Sequence, residues 1–194
     1  MNPPDQLSGA RRVIVDDEAD RALIERYRKG DREAFTELVV RYQRPIYNAA
    51  FWILRRAEDA SDIAQMVFLR VAERANDYDP QYRFFSWIYR IAVNESLNML
   101  RRSGNEDPLD EDQDIPEPEP RDPETRLGEA QRAARVRQAL MTMSTADRTV
   151  ITLRHFSECS YQEIADILEV DETTVKSRLY EARQRLRSLL DDLR

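Results

Sequence analysis

Few side chains in this sequence could carry bond chemistry, and their spacing suits recognition better than catalysis. There is one histidine, His155, one cysteine, Cys159, and four glycines in 194 residues. That inventory offers no glycine-rich phosphate loop, no metal-ligand spacing and no cysteine pair, so neither an active-site dyad nor a metal or cofactor is expected. The lone His155 reads as structural and Cys159 as a small buried side chain just before a helix cap. Polar recognition groups gather instead in residues 160–187, SYQEIADILEVDETTVKSRLYEARQRLR. There Thr173, Thr174, Lys176, Ser177, Tyr180 and Glu181 fall early on the outer side of a helix, with Arg183 continuing a positive face. Hydroxyl, ammonium, carboxylate and guanidinium groups in that position suit base edges and phosphates in a major groove.

Two short helices meeting at a tight turn must position those groups. Ser160 followed by Glu163 is a capping box, and it opens the apolar pattern Ile164, Ala165, Ile167 and Leu168. Glu169, Val170 and Asp171 interrupt that helix. Asp171 then caps a second one, whose inner stripe is Val175, Leu179, Ala182, Leu186, Leu190 and Leu193. The pattern predicts a helix-turn-helix. Amphipathic helix pairs with arginines on the wet face also occur in proteins that never touch DNA, and this turn lacks the glycine frequent in such motifs. Pattern alone therefore leaves both readings open.

The overall charge of −7 looks unsuited to a partner made of phosphates until it is divided along the chain. Residues 1–102 hold 17 basic and 16 acidic residues, residues 103–127 hold 2 and 10, and residues 128–194 hold 11 and 11. The acidity thus sits in one segment, leaving a local positive face permitted on either flank. That segment, SGNEDPLDEDQDIPEPEPRDPETRL, has five prolines and cannot bury enough apolar surface to order itself, so it reads as a flexible linker. At 41% hydrophobic and 35% charged, with no apolar run long enough to span a bilayer and no apolar core of a signal peptide near Met1, the chain is expected in the cytoplasm.

Residues 1–15 are proline-bearing and aperiodic, a flexible leader. Leu23, Ile24 and Tyr27 mark a first helix that ends at Gly30, and Asp31 caps a second with Phe35, Leu38, Val39, Tyr42 and Ile46 inside. Pro45 is expected to kink that helix before Ala49, Phe51, Ile53 and Leu54 continue it, and a break follows at 55–57. A third helix, 58–75, buries Ala60, Ile63, Ala64, Val67, Phe68 and Val71. Its other side, Asp59, Asp62, Gln65, Met66 and Leu69, mixes acids with apolar groups and suits either a partner helix or packing inside its own domain. After a loop at 76–83, a fourth helix puts Phe84 or Phe85, Ile88, Ile91, Ala92 and Leu100 in the core. Arg83, Trp87, Tyr89, Arg90, Asn94, Asn98, Arg101 and Arg102 remain for its other faces. Aromatics interleaved with arginine and asparagine can stack on unpaired bases, although aromatics on a helix also serve as core. Past the linker, a helix over 128–143 uses Ala130, Ala134, Val136, Leu140 and Met143, and Ser144 or Thr145 caps another over 146–156 with Val150, Ile151 and Leu153 inside. The expected fold is all-α: two small helical domains, 16–102 and 128–194, joined by an acidic flexible linker, 103–127.

The motifs GDREAFTELVVRY, DASDIAQMVFLRVAE, FFSWIYRIAVNESLNMLRR and YQEIADILEVDETTVKSRLYEARQRL, in this order around an acidic linker, resemble the extracytoplasmic-function sigma factors of bacterial RNA polymerase. The resemblance covers about residues 20–193. It implies that the third helix docks on a coiled coil of core polymerase through Asp59, Asp62, Gln65, Met66 and Leu69. It implies too that the fourth helix and the loop before it help open the promoter at the −10 element. A flipped base would lie near Tyr78, Asp79 and Tyr82, with Arg83, Trp87, Arg90, Asn94 and Asn98 along the separated strand. The last domain would read the −35 duplex through Thr173, Thr174, Lys176, Ser177, Tyr180, Glu181 and Arg183. Relatives often carry arginine where this chain has Glu181; a carboxylate there cannot hold phosphate but can accept from a cytosine amino group. An acidic linker would repel promoter DNA and follow a nucleic-acid path in the polymerase. Core polymerase, promoter DNA and an anti-sigma factor are the partners implied. The competing reading is a free-standing helix-turn-helix regulator that binds duplex DNA as a dimer.

Overall fold

In the computed structural model the described residues are 17–103 and 123–192, with side-chain surroundings given from residue 132 onward in the second segment. The expected leader, residues 104–122 of the expected linker, and Leu193 lie outside the described residues. Within them every regular element is helical.

The first half holds four helices, α1 (Asp17–Arg28), α2 (Arg32–Leu54), α3 (Ala57–Glu73) and α4 (Phe84–Ser103), with a 3₁₀ turn at Ala75–Asp77. Gly30 takes φ +97° between α1 and α2, and open space surrounds the place where a Cβ would sit. Conformation alone therefore calls for glycine there. Asp31 caps α2 as expected, accepting from the N–H groups of Glu33 and Ala34 at 3.0 and 3.3 Å. Helix α2 runs unbroken through Pro45, so the missing N–H is absorbed inside one element. It stops where Arg55 turns left-handed at φ 65°.

Ile24, Leu38, Ile46, Ile53, Ile63, Val67, Phe84 and Ile88 have no exposed surface and form the centre of this half. Each contributes about 1.5–3 kcal/mol by leaving water. Phe84 and Phe85 are both buried, where the sequence offered either. A polar tie joins α1 to α2: the buried Asp20 carboxylate accepts from the Tyr42 hydroxyl and the Arg41 guanidinium. Burial pushes the Tyr42 phenol far up, so it keeps its proton and donates.

In the second half, α5 (Pro123–Thr142) begins five residues before the expected 128. Ser144 rather than Thr145 caps α6 (Thr145–Ile151), and the chain continues through a π-helical turn, Thr152–Phe156. Helices α7 (Tyr161–Leu168) and α8 (Glu172–Asp192) form the helix-turn-helix. The capping box is complete, with the Ser160 hydroxyl accepting from Glu163 N at 3.2 Å and the Glu163 carboxylate accepting from Ser160 N at 2.7 Å. Glu169 takes φ 54° in the turn, the left-handed site that glycine often fills.

The two halves touch. Helix α7 packs on α4, and α6 with the π turn packs on α2. Trp52 stacks on Phe156 at 4.6 Å between ring centres, and the Arg148 guanidinium, 1% exposed, donates to the Ile53 carbonyl at 2.9 Å. Arg55 donates back to the Met141 carbonyl. Tyr89 departs from the sequence expectation: the pattern leaves it outside the core, yet it is buried, because α7 covers that side of α4. Its neighbours are Ser157 and the buried Cys159.

Removing the cap with Ser160→Ala should lower the unfolding free energy by about 1 kcal/mol. Asp20→Ala, which strands two donors, should cost about 2–3 kcal/mol. Urea unfolding followed by circular dichroism measures both, and a larger loss for Ser160→Ala would contradict this ranking.

Candidate nucleic-acid interface

Helix α8 is built to show one face. Asp171 fixes its start, one carboxylate oxygen accepting Thr174 N and the other the Thr174 hydroxyl, each at 2.7 Å. The hydroxyl bond holds the Asp171 carboxyl below the usual carboxylate range. Val175, Leu179 and Ala182 are fully buried, and at about 100° per residue the opposite stripe holds Thr173, Ser177, Tyr180 and Gln184. All four are exposed, Tyr180 at 66%.

Cations flank the stripe. Lys176 lies 2.6 Å from Glu172, which raises its ammonium pKa, and sits over the Tyr161 ring. Arg183 reaches His155 at 3.3 Å, and Arg178 is exposed on the other flank. Arg178 and Gln184 join this face beyond the residues expected from sequence, and helical phase alone places both beside them. Two expected groups have local duties: Thr174 is half-buried and serves the cap, and Glu181 meets Arg185 at 3.3 Å. Arg185 itself turns to Asp147 at 2.6 and 2.7 Å, which ties α8 to α6.

On α4 the expected strand-facing residues fall into two groups. Trp87 is half-buried against Tyr78 and Phe84, with centroid distances of 5.3 and 5.7 Å, while Asn94 is exposed and Asn98 accepts from Arg101 at 2.6 Å. Arg83 and Arg90 are ion-paired: Arg83 to Asp17 at 2.5 Å and also to Glu163, Arg90 to Glu169 at 3.2 Å. In the loop before α4, Tyr78 is only 3% exposed and its hydroxyl donates to the Tyr82 carbonyl at 2.7 Å. Its ring is a wall, whereas Asp79 and Tyr82 reach solvent, Tyr82 at 59%. Arg28 of α1 braces this loop, donating to the carbonyls of Ala75, at 2.6 Å, and Tyr78. Nothing local in the sequence marks Arg28 for that role, since the partners lie about fifty residues on.

Along α3, Asp62, Gln65 and Leu69 are exposed, Leu69 at 65%. Asp59 is half-buried beside Arg56 at 3.5 Å. Met66 turns toward a cleft between α3 and α4 lined by Ile63, Glu95, Met99 and Arg102. Among the described residues no helix is long and apolar enough to cross a membrane.

Comparison with known proteins gives this geometry a family. Family models match at residues 38–106, "Sigma-70 region 2", and 133–186, "Sigma-70, region 4". The RNA polymerase sigma-H factor of Pseudomonas aeruginosa is 31% identical, the alignment covering 93% of this chain and 98% of the relative. The ECF RNA polymerase sigma factor SigW of Bacillus subtilis is 30% identical over 88% and 96%. The ECF sigma-E factor of Haemophilus influenzae is 32% identical over 90% and 96%. Among solved structures, CnrH in complex with the cytosolic domain of CnrY superposes with TM-score 0.67 at 26% identity, covering 90% of this chain and 98% of that one. The sigma factor RpoE in complex with the anti-sigma factor NepR from Bartonella quintana shares the fold, with TM-score 0.66 at 21% identity over 81% and 96%. Two matched regions and relatives aligned along nearly their whole length place the chain among the extracytoplasmic-function sigma factors, the alternative sigma factors that direct RNA polymerase to promoters.

Proposed function

We propose that this sigma factor works through three separate faces and performs no bond chemistry itself. The outward stripe of α8 reads the −35 duplex, with Thr173, Ser177, Tyr180 and Glu181 toward base edges and Lys176 and Arg183 toward phosphates. The loop before α4 and the Trp87, Asn94 and Asn98 stripe hold the opened −10 strand. The strip Asp62, Gln65 and Leu69 on α3 docks on core polymerase. The observation that carries this reading is the division of α8, whose Val175, Leu179 and Ala182 are sealed while Thr173, Lys176, Ser177 and Tyr180 stand in solvent. A face of hydroxyl, ammonium and phenol groups at the start of the second helix of a helix-turn-helix is what major-groove reading uses, and the match of residues 133–186 to the family model supports that reading.

Glu181 gives the −35 reading its own specificity. As an acceptor-only group it favours a base pair that offers an amino donor, the N4 of cytosine. An anti-sigma partner belongs to the same proposal, supported by the likeness to CnrH, which is seen bound to the cytosolic domain of CnrY. The chain acts in the cytoplasm, where the polymerase is.

The deciding experiment is transcription in vitro. Core polymerase with the purified chain should give a specific transcript; a chain that shifts duplex DNA as a dimer and yields no transcript with core polymerase would sink the proposal in favour of a free-standing regulator. Asp62→Ala with Gln65→Ala should weaken core binding by tenfold or more, about 1.4 kcal/mol, with helix content unchanged. Lys176→Ala should weaken duplex binding alike for all sequences and lower the slope of log K against log salt by about 0.9. Glu181→Gln, by contrast, should relax discrimination at one base pair by roughly tenfold, within the usual worth of a base contact.

A further inference from the structure

One stripe of α1 runs along the loop that precedes α4. Asp17, Arg21, Ile24 and Arg28 are spaced by four, three and four residues, so at about 100° per residue they fall within about 60° of one another. Ile24 is buried in the core, and the three polar residues grip the loop at its start, middle and end. The half-buried Arg28 guanidinium donates to the Ala75 carbonyl at 2.6 Å and to the Tyr78 carbonyl, and it lies 5.7 Å from the centre of the Tyr78 ring. Arg21 hydrogen-bonds to the Tyr78 hydroxyl, which itself donates to the Tyr82 carbonyl at 2.7 Å. Asp17 holds Arg83 at 2.5 Å, where the loop enters α4. The loop's own backbone bonds run elsewhere: Asp77 N to the Arg74 carbonyl at 2.9 Å and Tyr82 N to the Asp79 carbonyl at 3.1 Å close two separate turns. Ala75 and Tyr78 are 5% and 3% exposed, a depth at which a carbonyl without a donor is costly. Asp79 and Tyr82 stand in solvent instead, with Gln81 N on one Asp79 carboxylate oxygen at 2.9 Å. The root of the loop is thus anchored on α1 while its tip is presented.

We infer that α1 is a splint for this loop and that Arg28 is its positioning residue: by bridging the Ala75 and Tyr78 carbonyls it fixes the shape in which Asp79 and Tyr82 meet a flipped −10 base, without touching DNA itself. The inference rests on the −10 role proposed for the loop. Lysine is no substitute at this position, since a single ammonium lacks the planar fork that serves two carbonyls and lies against a ring. A loop already held in its binding shape loses less freedom when the base arrives. Loosening it therefore lowers what that one base contributes and leaves the other promoter contacts as they were. The dependence is also one-directional in the chain: α1 can be rebuilt around Ile24 without Arg28, but the buried loop carbonyls lose their donor.

The test uses the holoenzyme, core polymerase with the full chain, on the promoter that gives the specific transcript. Heparin-resistant complexes are measured on the intact template and on templates carrying a single abasic site at each non-template position of the −10 element in turn. With the wild-type chain one of these sites should cost about tenfold or more, the worth of one base stacked on protein. Arg28→Ala should lower complex formation on the intact template by about as much and shrink the penalty at that position to about threefold or less. A change that merely weakened the fold would lower every template alike and keep the penalty. Arg28→Lys, which keeps the charge, should behave like Arg28→Ala, whereas a role in attracting phosphate would let lysine restore wild-type values. Lys29→Ala, the same charge change one residue on, should match wild type on every template. An undiminished penalty in both Arg28 variants, full recovery with lysine, or an equal loss in Lys29→Ala overturns the splint. If no abasic site costs the wild type anything, or Asp79→Ala with Tyr82→Ala keeps the full penalty, the loop reading itself fails and the splint falls with it.

Discussion

One carboxylate sits at the junction of the whole molecule. Glu163 accepts the Ser160 N–H with one oxygen, completing the cap of α7, and the Arg83 guanidinium with the other. The first bond decides where the helix-turn-helix begins. The second fixes that unit against the start of α4. Because Arg83 also holds Asp17, three chain segments far apart in sequence meet at one guanidinium. A side chain 8% exposed, with both oxygens engaged, leaves little room for another arrangement of α7 on α4.

Charge is used in this fold according to depth. Deep pairs such as Asp20 with Arg41 and Tyr42, or Arg148 on the Ile53 and Met143 carbonyls, position helices, since a buried polar group without its partner costs more than any surface pair returns. Shallow ones such as Lys176 with Glu172 and Arg90 with Glu169 lie in water and add little to stability. The same residue types therefore serve architecture in the interior and, in the function proposed, recognition at the surface. Which duty each has follows from water access rather than from identity.

Helical phase made much of the site legible. The periodicity of Val175, Leu179 and Ala182 assigns the opposite stripe of α8 to solvent whatever packs beneath it, and the capping box at Ser160 and Glu163 announces its partner helix. The same reasoning reached the exposed Asp62, Gln65 and Leu69. It failed for Tyr89, whose burial depends on a helix some seventy residues later, while Met66 is half-buried and lines the α3–α4 cleft. Tyr78 shows the same limit: the resemblance implies a place near a flipped base, whereas its burial against Trp87 and the bond from its hydroxyl to the Tyr82 carbonyl have no local signature.

By itself, then, the sequence determined most of the helices, the caps at Asp31, Ser160 and Asp171, the all-α class, the helix-turn-helix and the family, because spacing of 3.6 residues and side-chain capping act within a few residues of chain. Only the tertiary structure decided what those helices cover. That Arg83 and Arg90 are engaged by Glu163 and Glu169, that Arg28 braces the loop at Tyr78, and that Trp52 meets Phe156 are contacts across roughly fifty to a hundred residues. Such pairings carry no local signature, since they follow from how two amphipathic surfaces fit together rather than from the order of residues along either one.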